Sequence, residues 1–210
     1  MAGERNQDMV KATLIIMAKP PVKGEVKTRL AEDIGADQAL EVYQHLLEYT
    51  FEVAEHPDVE TVIYFAKSNG YTHSFNRFQS SIQSGNTLGE RMGHAFQSEF
   101  QRSQRPVIML GADCPDLTSE HIDQALEAVE KHELVVGPSD DGGYYLIGMR
   151  TYFPEILHRK PWSTEKLWSE TMKTIDELGV SCVELEKLND IDTLNDLLNS
   201  RLAPLHAGNS

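Results

Sequence analysis

The sequence predicts an α/β protein in which helices cover both faces of a largely parallel sheet. Short apolar runs alternate along the chain with longer amphipathic stretches, which is the pattern of alternating strands and helices. Strands joined by helical crossovers lie parallel in one sheet, and ligands of such sheets bind beyond the carboxyl ends of the strands. The length of 210 residues agrees with a single domain of this class.

The first elements follow this alternation. Thr13–Ala18 is a continuous apolar run, as expected for a strand that is buried on both faces. A loop rich in Pro, Gly and Lys is expected from Lys19 to Gly35. Apolar residues at helical spacing predict a helix over Ala36–Ala54, and Val59–Ala66 is the second predicted strand.

The middle of the chain repeats the pattern. Thr87 and Glu90 match a capping box, which predicts that a helix begins there. Pro106–Gly111 is the third apolar run and is expected to form a buried strand. Ser119 is the expected N-cap of the following helix, and Leu134–Gly137 is the fourth predicted strand.

The last elements complete the predicted sheet. Tyr144–Met149 is expected to form a strand after a Gly-Gly turn. A helix is predicted over Thr164–Leu178, followed by a strand at Cys182–Leu185 and a final helix over Leu194–Leu202.

Composition and charge exclude several classes of protein. The predicted single domain covers residues 12–203, between a flexible segment at 1–11 and a tail at 204–210. No apolar run approaches the roughly 20 residues that span a bilayer, and the first residues lack the apolar stretch of a signal peptide, so we expect a cytoplasmic protein. The formal net charge of −14 would repel nucleic acid, so no such partner is expected. The sequence predicts no oligomeric state.

The loop after the first predicted strand concentrates positive charge in an acidic chain. Its segment KPPVKGEVKTR carries Lys19, Lys23, Lys27 and Arg29, although the whole chain has only 19 lysines and arginines. Lysine offers a point charge and arginine a planar fork to phosphate oxygens, and Gly24 allows close approach of the backbone. The loop lacks the glycine patterns of a P-loop and of a Rossmann fingerprint, so it predicts another type of phosphate site. The alternative is a solvated surface loop whose lysines aid solubility.

Carboxylates follow two of the predicted strands. Asp113 stands just past the third strand, where it could hold Mg²⁺ or Mn²⁺ against phosphates on the basic loop. The alternative is a turn residue that hydrogen-bonds its own backbone. Asp141, in the string SDDGGYY, fits a tight Asp-Gly turn, and its carboxylate is our candidate for holding or deprotonating an acceptor hydroxyl.

A second group of aspartates precedes the last predicted helix. The string NDIDTLND places Asp192 beside Thr193, and either residue fits a helix N-cap. The functional alternative is that Asp192 reaches the site as a second metal-binding carboxylate. Four aromatic side chains either line an acceptor pocket or belong to the core: Tyr144, Tyr145, Trp162 and Trp168.

Six segments taken together resemble one known family. They run in order along nearly the whole chain: Ala18–Leu30 (AKPPVKGEVKTRL), Gly85–Met92 (GNTLGERM), Gly111–Thr118 (GADCPDLT), Gly137–Gly148 (GPSDDGGYYLIG), Pro161–Thr164 (PWST) and Asp190–Leu197 (DIDTLNDL). The chain resembles the bacterial glycosyltransferase-like family of the nucleotide-diphospho-sugar transferase superfamily, which is linked by name to arsenosugar biosynthesis and to radical-SAM gene neighbourhoods. More distantly, it is similar to the guanylyltransferases that act on phospholactate and on molybdopterin.

The resemblance implies a fold, a cofactor and several roles. The implied fold is the GT-A fold, a three-layer α/β/α sandwich with a mixed, mainly parallel sheet. Lys27 and Arg29 would meet phosphate and take part in catalysis, and Lys19 and Gly24 belong to the same nucleotide-binding loop. Asp113 would hold Mg²⁺ or Mn²⁺.

The resemblance also implies a nucleoside site and a second metal ligand. Gly85, Leu88 and Arg91 are the expected nucleoside contacts, and Gln83 is a candidate for contact with the base. Asp192 would be the second carboxylate that the nucleotidyltransferase relatives carry.

Two reactions remain open at this level, together with a catalytically idle nucleotide-binding module. The first is transfer of a sugar from a nucleotide-diphospho-sugar to a small-molecule acceptor. The second is nucleotidyl transfer, in which an acceptor phosphate attacks a nucleoside triphosphate and pyrophosphate leaves. Sugar-transfer enzymes commonly carry two metal-binding carboxylates two residues apart, whereas Asp113 and Asp116 are three apart with a proline between them. This departure keeps nucleotidyl transfer open.

Overall fold

The structure is a computed structural model and describes residues 10–67, 71 and 78–207. Its strands are β1 Ala12–Ala18, β2 Val59–Phe65, β3 Gln79–Ile82, β4 Val107–Gly111, β5 Leu134–Pro138, β6 Tyr144–Met149 and β7 Cys182–Glu184. Its α-helices are α1 Thr28–Ile34, α2 Ala36–Val53, α3 Leu88–Ser103, α4 Ser119–Lys131, α5 Leu167–Leu178, α6 Leu194–Leu198 and α7 Ala203–Ala207. One short 3-10 helix lies at Pro154–Ile156.

The strands form one mixed sheet in the order β3–β2–β1–β4–β6–β5–β7. β6 runs antiparallel to both of its neighbours, and the other adjacent pairs within the described chain are parallel. β1, β4 and β5 therefore end at the same edge of the sheet, and the loops that follow them meet there. The predicted mixed, mainly parallel sheet is confirmed.

Helices cover both faces of the sheet, which makes three layers. On one face, Phe51 of α2 and Ile122 of α4 share a core cluster with Ile16 of β1. On the other face, Phe96 of α3 packs in a second cluster that contains Ile15. Because neighbouring residues of β1 enter opposite clusters, the strand needs the continuous apolar run that predicted it.

The structure corrects the prediction where the apolar pattern is weak. The stretch Lys19–Gly35, expected to be a loop, contains the helix α1, which buries Leu30 completely. The sequence does not predict β3, because three of its four residues QSSI are polar and the strand is largely exposed at the edge of the sheet. The capping box of Thr87 and Glu90 at the start of α3 is confirmed.

Three helix ends also differ from the prediction. Thr118, and not Ser119, is the N-cap of α4, and the Thr118 backbone N–H donates to the ring of the third helical residue at 3.1 Å. α5 begins at Leu167 because Thr164 donates its hydroxyl to a backbone carbonyl in a preceding turn, at 2.7 Å. α6 ends early because Ser200 donates its hydroxyl to a carbonyl of the last turn, at 2.8 Å.

The expected terminal segments are described only in part. Residues 1–9 of the segment predicted to be flexible lie outside the described residues, and α7 begins at the last residue of the predicted domain and runs into the predicted tail. Within the part of the chain that the structure describes, no helix combines the length and apolar character needed to cross a bilayer.

Candidate functional site

A cavity of about 490 Å³ opens at the edge of the sheet where β1, β4 and β5 end. This volume lies within the usual range for small-molecule sites. The predicted site residues that line it are Lys19, Lys27, Arg29, Gln83, Leu88, Arg91, Asp113, Asp141 and Asp192.

Lys27 forms ion pairs with two carboxylates that line the cavity. Its side chain is only 4% exposed, and its Nζ lies 2.7 Å from Asp113 Oδ1 and 3.2 Å from Asp192 Oδ1. Burial by itself lowers the pKa of this ammonium, but the two carboxylates outweigh burial, and the pKa of Lys27 is raised. Lys27 is therefore a cation throughout the neutral pH range.

The backbone around Lys27 holds it in an unusual conformation. Lys27 is the N-cap of α1 and has a φ of 47°, in the left-handed region that side-chain-bearing residues seldom adopt. Val26 and Leu30, on either side, are buried in separate core clusters. Such strain persists only where the surroundings over-determine a position, and strained residues concentrate at functional sites.

Asp113 and Asp192 meet because the chain returns alongside the end of β5. The backbone N–H of Leu188 donates to the last carbonyl of β5 at 3.1 Å, and that of Ile191 donates to the Asp113 carbonyl at 3.1 Å. Thr193 is the N-cap of α6 and accepts a hydrogen bond from the backbone of the third helical residue. Capping therefore falls to Thr193, and the Asp192 carboxylate is left to the cavity.

Asp190 also lines the cavity, and no pattern in the sequence predicts it as a site residue. Burial, followed by the charges of Asp113 and Asp141, raises the pKa of Asp190 to about 7. Its signal in the sequence is its place in the string NDIDTLND, which does not separate it from Asp192.

The other cations of the basic loop differ in what they reach. Arg29 is exposed, and its Nη1 lies 3.6 Å from Asp192 Oδ2. Lys19 lines the cavity, and its backbone is fixed by two hydrogen bonds with the Tyr43 hydroxyl, at 2.9 and 2.8 Å. Lys23 instead pairs with an aspartate of α2 at 2.7 Å and is absent from the cavity wall that the structure describes.

The start of α3 and the end of β3 form the wall predicted for the nucleoside. Leu88 is 43% exposed at the first turn of α3, and Arg91 is held by a hydrogen bond from its Nε to the Gly85 carbonyl at 3.1 Å. Gln83 donates its amide nitrogen to backbone carbonyls of β1 and β2, at 3.2 and 2.8 Å. Its amide oxygen therefore remains as a hydrogen-bond acceptor for a ligand.

Gly24 and Gly85 are not among the described residues that line the cavity. Gly24 has a φ of 80°, and a Cβ there would meet no atom within 4 Å, so this glycine serves the turn. Gly85 has a φ of 129°, and a Cβ there would lie 2.7 Å from the Glu90 Cβ. Both glycines shape the loops around the cavity, and their direct contact with a nucleotide stays a prediction.

The cavity-lining residues 139–167 differ in their chemistry from the basic loop. Asp141 Oδ1 accepts hydrogen bonds from Ser139 Oγ at 2.5 Å and from the Gly143 backbone at 2.9 Å, which confirms the predicted turn. Asp141 Oδ2 has no hydrogen-bond partner in the described part of the chain. Between residues 139 and 167, the described cavity-lining residues include no Lys, Arg or His: Ser139, Asp141, Gly143, Tyr144, Tyr145, Leu146, Ile147, Trp162, Ser163, Thr164 and Leu167.

The four aromatic residues divide between the cavity and the core. Tyr144 and Trp162 line the cavity in an edge-to-face pair with ring centroids 6.0 Å apart. Tyr145 also lines the cavity, but it is only 3% exposed and belongs to the core cluster of the first sheet face. Trp168 packs against the cluster of the second face. A place in an acceptor pocket therefore stays a prediction for Tyr144 and Trp162.

The carboxylate pair fits a hard divalent cation. Mg²⁺ and Mn²⁺ prefer oxygen ligands, and the Lys27 ammonium already stands as a cation between Asp113 and Asp192. Within the described residues, no group of three or more His, Cys, Asp or Glu side chains is arranged to hold a metal. Two carboxylates would therefore share a metal with phosphate and water oxygens.

Sheet order, helix layers and a charged cavity at the carboxyl edge define an α/β protein with the nucleotide-diphospho-sugar transferase fold. The chain belongs to the family of uncharacterized proteins conserved in bacteria, DUF2064, whose model matches residues 48–164. No curated protein matches the chain.

Solved structures agree with this fold. A protein from Desulfovibrio desulfuricans G20, provisionally assigned as a nucleotide-diphospho-sugar transferase, is 26% identical with a TM-score of 0.83, over 96% of both chains. The inositol-1-phosphate CTP transferase of T. maritima is 14% identical with a TM-score of 0.56, over 95% of this chain and 96% of that one. Rv0371c from Mycobacterium tuberculosis H37Rv, solved in complex with manganese, is 14% identical with a TM-score of 0.51, over 92% and 98%. The prediction of a nucleotide-dependent transferase agrees with these neighbours.

Proposed function

We propose that the protein is a metal-dependent transferase that moves a sugar from a nucleotide-diphospho-sugar to a hydroxyl group of a small molecule. The observation that carries this proposal is that the cavity lining includes two sets of residues with unlike chemistry. One set holds the loop cations Lys19, Lys27 and Arg29, with Arg91 and the Asp113–Asp192 pair. The other set, residues 139–167, has Asp141, hydroxyls and aromatic rings and, among its described lining residues, no cation.

The loop cations and the Asp113–Asp192 pair suit the diphosphate of the donor. Lys27 and Arg29 would stabilise the charge that develops on the leaving nucleoside diphosphate, which is the electrostatic part of catalysis. Asp113 and Asp192 would hold Mg²⁺ or Mn²⁺, which when bound neutralises phosphate charge. Arg91, Leu88 and the Gln83 amide oxygen would contact the nucleoside.

The lining residues 139–167 suit an acceptor without a phosphate group. A phosphorylated acceptor would meet the Asp141 carboxylate there, and these described residues include no cation. A neutral acceptor would meet the Trp162 ring and the hydroxyls of Ser163 and Thr164. Asp141 Oδ2 could hold the acceptor hydroxyl or take its proton, while Oδ1 keeps the turn closed.

Nucleotidyl transfer is the second candidate, and one observation favours it. Asp116 is exposed and absent from the described cavity wall, and Asp113 is paired through Lys27 with Asp192 instead. Carboxylates from two distant segments are the arrangement that the resemblance implies for the nucleotidyltransferase relatives. An acceptor phosphate would then attack a nucleoside triphosphate beside the same cations.

The leaving group separates the two reactions. The protein would be incubated with Mn²⁺, nucleotide sugars or nucleoside triphosphates, and a cell extract as the source of acceptor. We expect a nucleoside diphosphate from a sugar donor, at a rate that falls on the order of tenfold in Arg29→Ala, because one charge-assisted contact is lost. Lys23→Ala removes a cation of the same loop that pairs with α2, and it should leave the rate unchanged.

The contrary result is equally specific. Pyrophosphate released from triphosphates, with no nucleoside diphosphate from any sugar donor, would replace sugar transfer by nucleotidyl transfer. Nucleotide binding without either product would leave only the idle binding module.

A further inference from the structure

The Lys27 ammonium stands where the carboxylate pair would hold a metal. Its contacts are to the Oδ1 atoms of both Asp113 and Asp192, at 2.7 and 3.2 Å. The two carboxylates are 43% and 47% exposed, whereas the lysine side chain is 4% exposed. The carboxylates thus remain open to the cavity while a buried internal cation offsets half of their charge.

A lysine and a divalent cation cannot both occupy this position. A divalent cation binds carboxylate oxygens at about 2.0–2.6 Å, so it would compete with the ammonium for the same Oδ1 atoms. If both stayed, three positive charges would lie within a few ångströms in a partly buried site. Binding of a metal between the Oδ1 atoms of Asp113 and Asp192 therefore requires Lys27 to find other partners.

We propose that Lys27 fills the cation position of the Asp113–Asp192 pair in the free protein and yields it to a divalent metal only when donor phosphates become its partners. This inference rests on the proposed function, because it needs a phosphate donor and a metal in one cavity. It adds an order to their binding: the free protein holds metal weakly, and nucleotide and metal enter together.

The side chain of Lys27 is suited to such an exchange. Lysine has a flexible four-carbon stem, so its ammonium can swing while the backbone stays fixed by Val26 and Leu30. Lys19, Arg29 and Arg91 line the same cavity and would draw phosphate oxygens into reach of Lys27.

The test measures the affinity for Mn²⁺ alone, by the electron paramagnetic resonance signal of free Mn²⁺. Without nucleotide, Lys27→Met should bind Mn²⁺ at least about tenfold more tightly than the wild type, because the carboxylate pair loses its internal cation. Lys27→Gln serves as a second variant, and thermal unfolding verifies that each one folds. Lys23→Met is the matched control: it removes a cation of the same loop that pairs with α2 outside the described cavity wall, and it should bind Mn²⁺ as the wild type does.

The outcomes separate this inference from the proposed function. Equally tight Mn²⁺ binding by the wild type and both Lys27 variants would overturn the exchange and leave a metal-dependent transferase standing. Equal gains in affinity for Mn²⁺ in Lys23→Met and Lys27→Met would also overturn it, because the loss of any positive charge from the loop would then be the cause. If no variant binds Mn²⁺, even with ADP, CDP, GDP or UDP present, both the inference and the metal dependence of the proposed function fail.

Discussion

Asp190 gives the folded protein a carboxyl group that titrates near neutral pH. Burial and the charges of Asp113 and Asp141 raise the pKa of Asp190 to about 7, from an ordinary value of 3.8. Between these values the folded state keeps a proton that the unfolded state has released, so the free energy of unfolding falls as the pH rises through this window. Above pH 7 or so the aspartate is ionised in both states, and the free energy of unfolding falls no further on its account.

Removing the ionisation of Asp190 should therefore stabilise the protein most at high pH. The gain in unfolding free energy of Asp190→Asn over the wild type should be about 1–3 kcal/mol larger at pH 8 than at pH 5. Urea denaturation at both pH values measures this gain. Asp116→Asn, at an exposed aspartate outside the described cavity wall, is the control. A gain of equal size at both pH values would mean that Asp190 is not protonated in the folded state.

At the residue scale, the sequence predicts side chains that stand alone at the end of a strand. Asp113 follows an apolar run and precedes a proline, and Lys27 lies among cations in an acidic chain, so both are visible. Asp190 and Asp192 lie in one aspartate-rich string, and nothing local tells which of them has the raised pKa. Their positions depend on the return of the chain beside β5, which is a long-range contact.

At the scale of elements, α3 packs closely against Trp162 at Gly89. A Cβ there would lie 2.4 Å from Trp162 Nε1 and 2.7 Å from the Leu157 carbonyl oxygen. An alanine in place of a helical glycine usually stabilises a helix by about 0.5–1 kcal/mol. At this position the backbone carbonyl cannot move aside cheaply, so the helix requires glycine for close packing.

Gly89→Ala should destabilise the protein by about 1–3 kcal/mol and shift the tryptophan fluorescence, because it displaces Trp162. Chemical denaturation and emission spectra of the native protein measure the two effects. Gly111→Ala is the matched control, since a Cβ there would meet no atom within 4 Å. A Gly89→Ala variant that is more stable than the wild type and has an unchanged emission spectrum would show that a side chain at this position does not displace Trp162.

Elements are predictable where one physical signal dominates them. β1 and β4 are found from apolar runs, and α3 from its capping box, because burial on both faces and a satisfied helix end leave local marks. The apolar pattern does not predict the short helix α1, because Leu30 is its one fully buried side chain. It does not predict β3 either, because backbone pairing with β2 holds this mostly polar segment at the edge of the sheet.

At the scale of the whole molecule, the sheet order and the charge distribution create the site together. The antiparallel β6 lies between β4 and β5. Local sequence does not predict this position, because an apolar run predicts a strand but neither its direction nor its neighbours in the sheet. The fold brings four cations, Lys19, Lys27, Arg29 and Arg91, to a cavity whose described lining also holds four aspartates, in a chain with a formal net charge of −14. These cations offer an anionic ligand partners that the average surface of so acidic a chain does not.

The most direct measurement is a calorimetric titration of the wild type with ADP, CDP, GDP and UDP, with and without Mn²⁺. The account predicts that at least one nucleoside diphosphate binds with Mn²⁺ and loses affinity by at least about tenfold without it, because phosphate and carboxylates share the metal. Asp113→Asn, which keeps the shape of the side chain and removes its charge, should abolish this dependence on metal. Failure of every diphosphate to bind in either condition, or the same metal dependence in Asp113→Asn as in the wild type, would contradict the account.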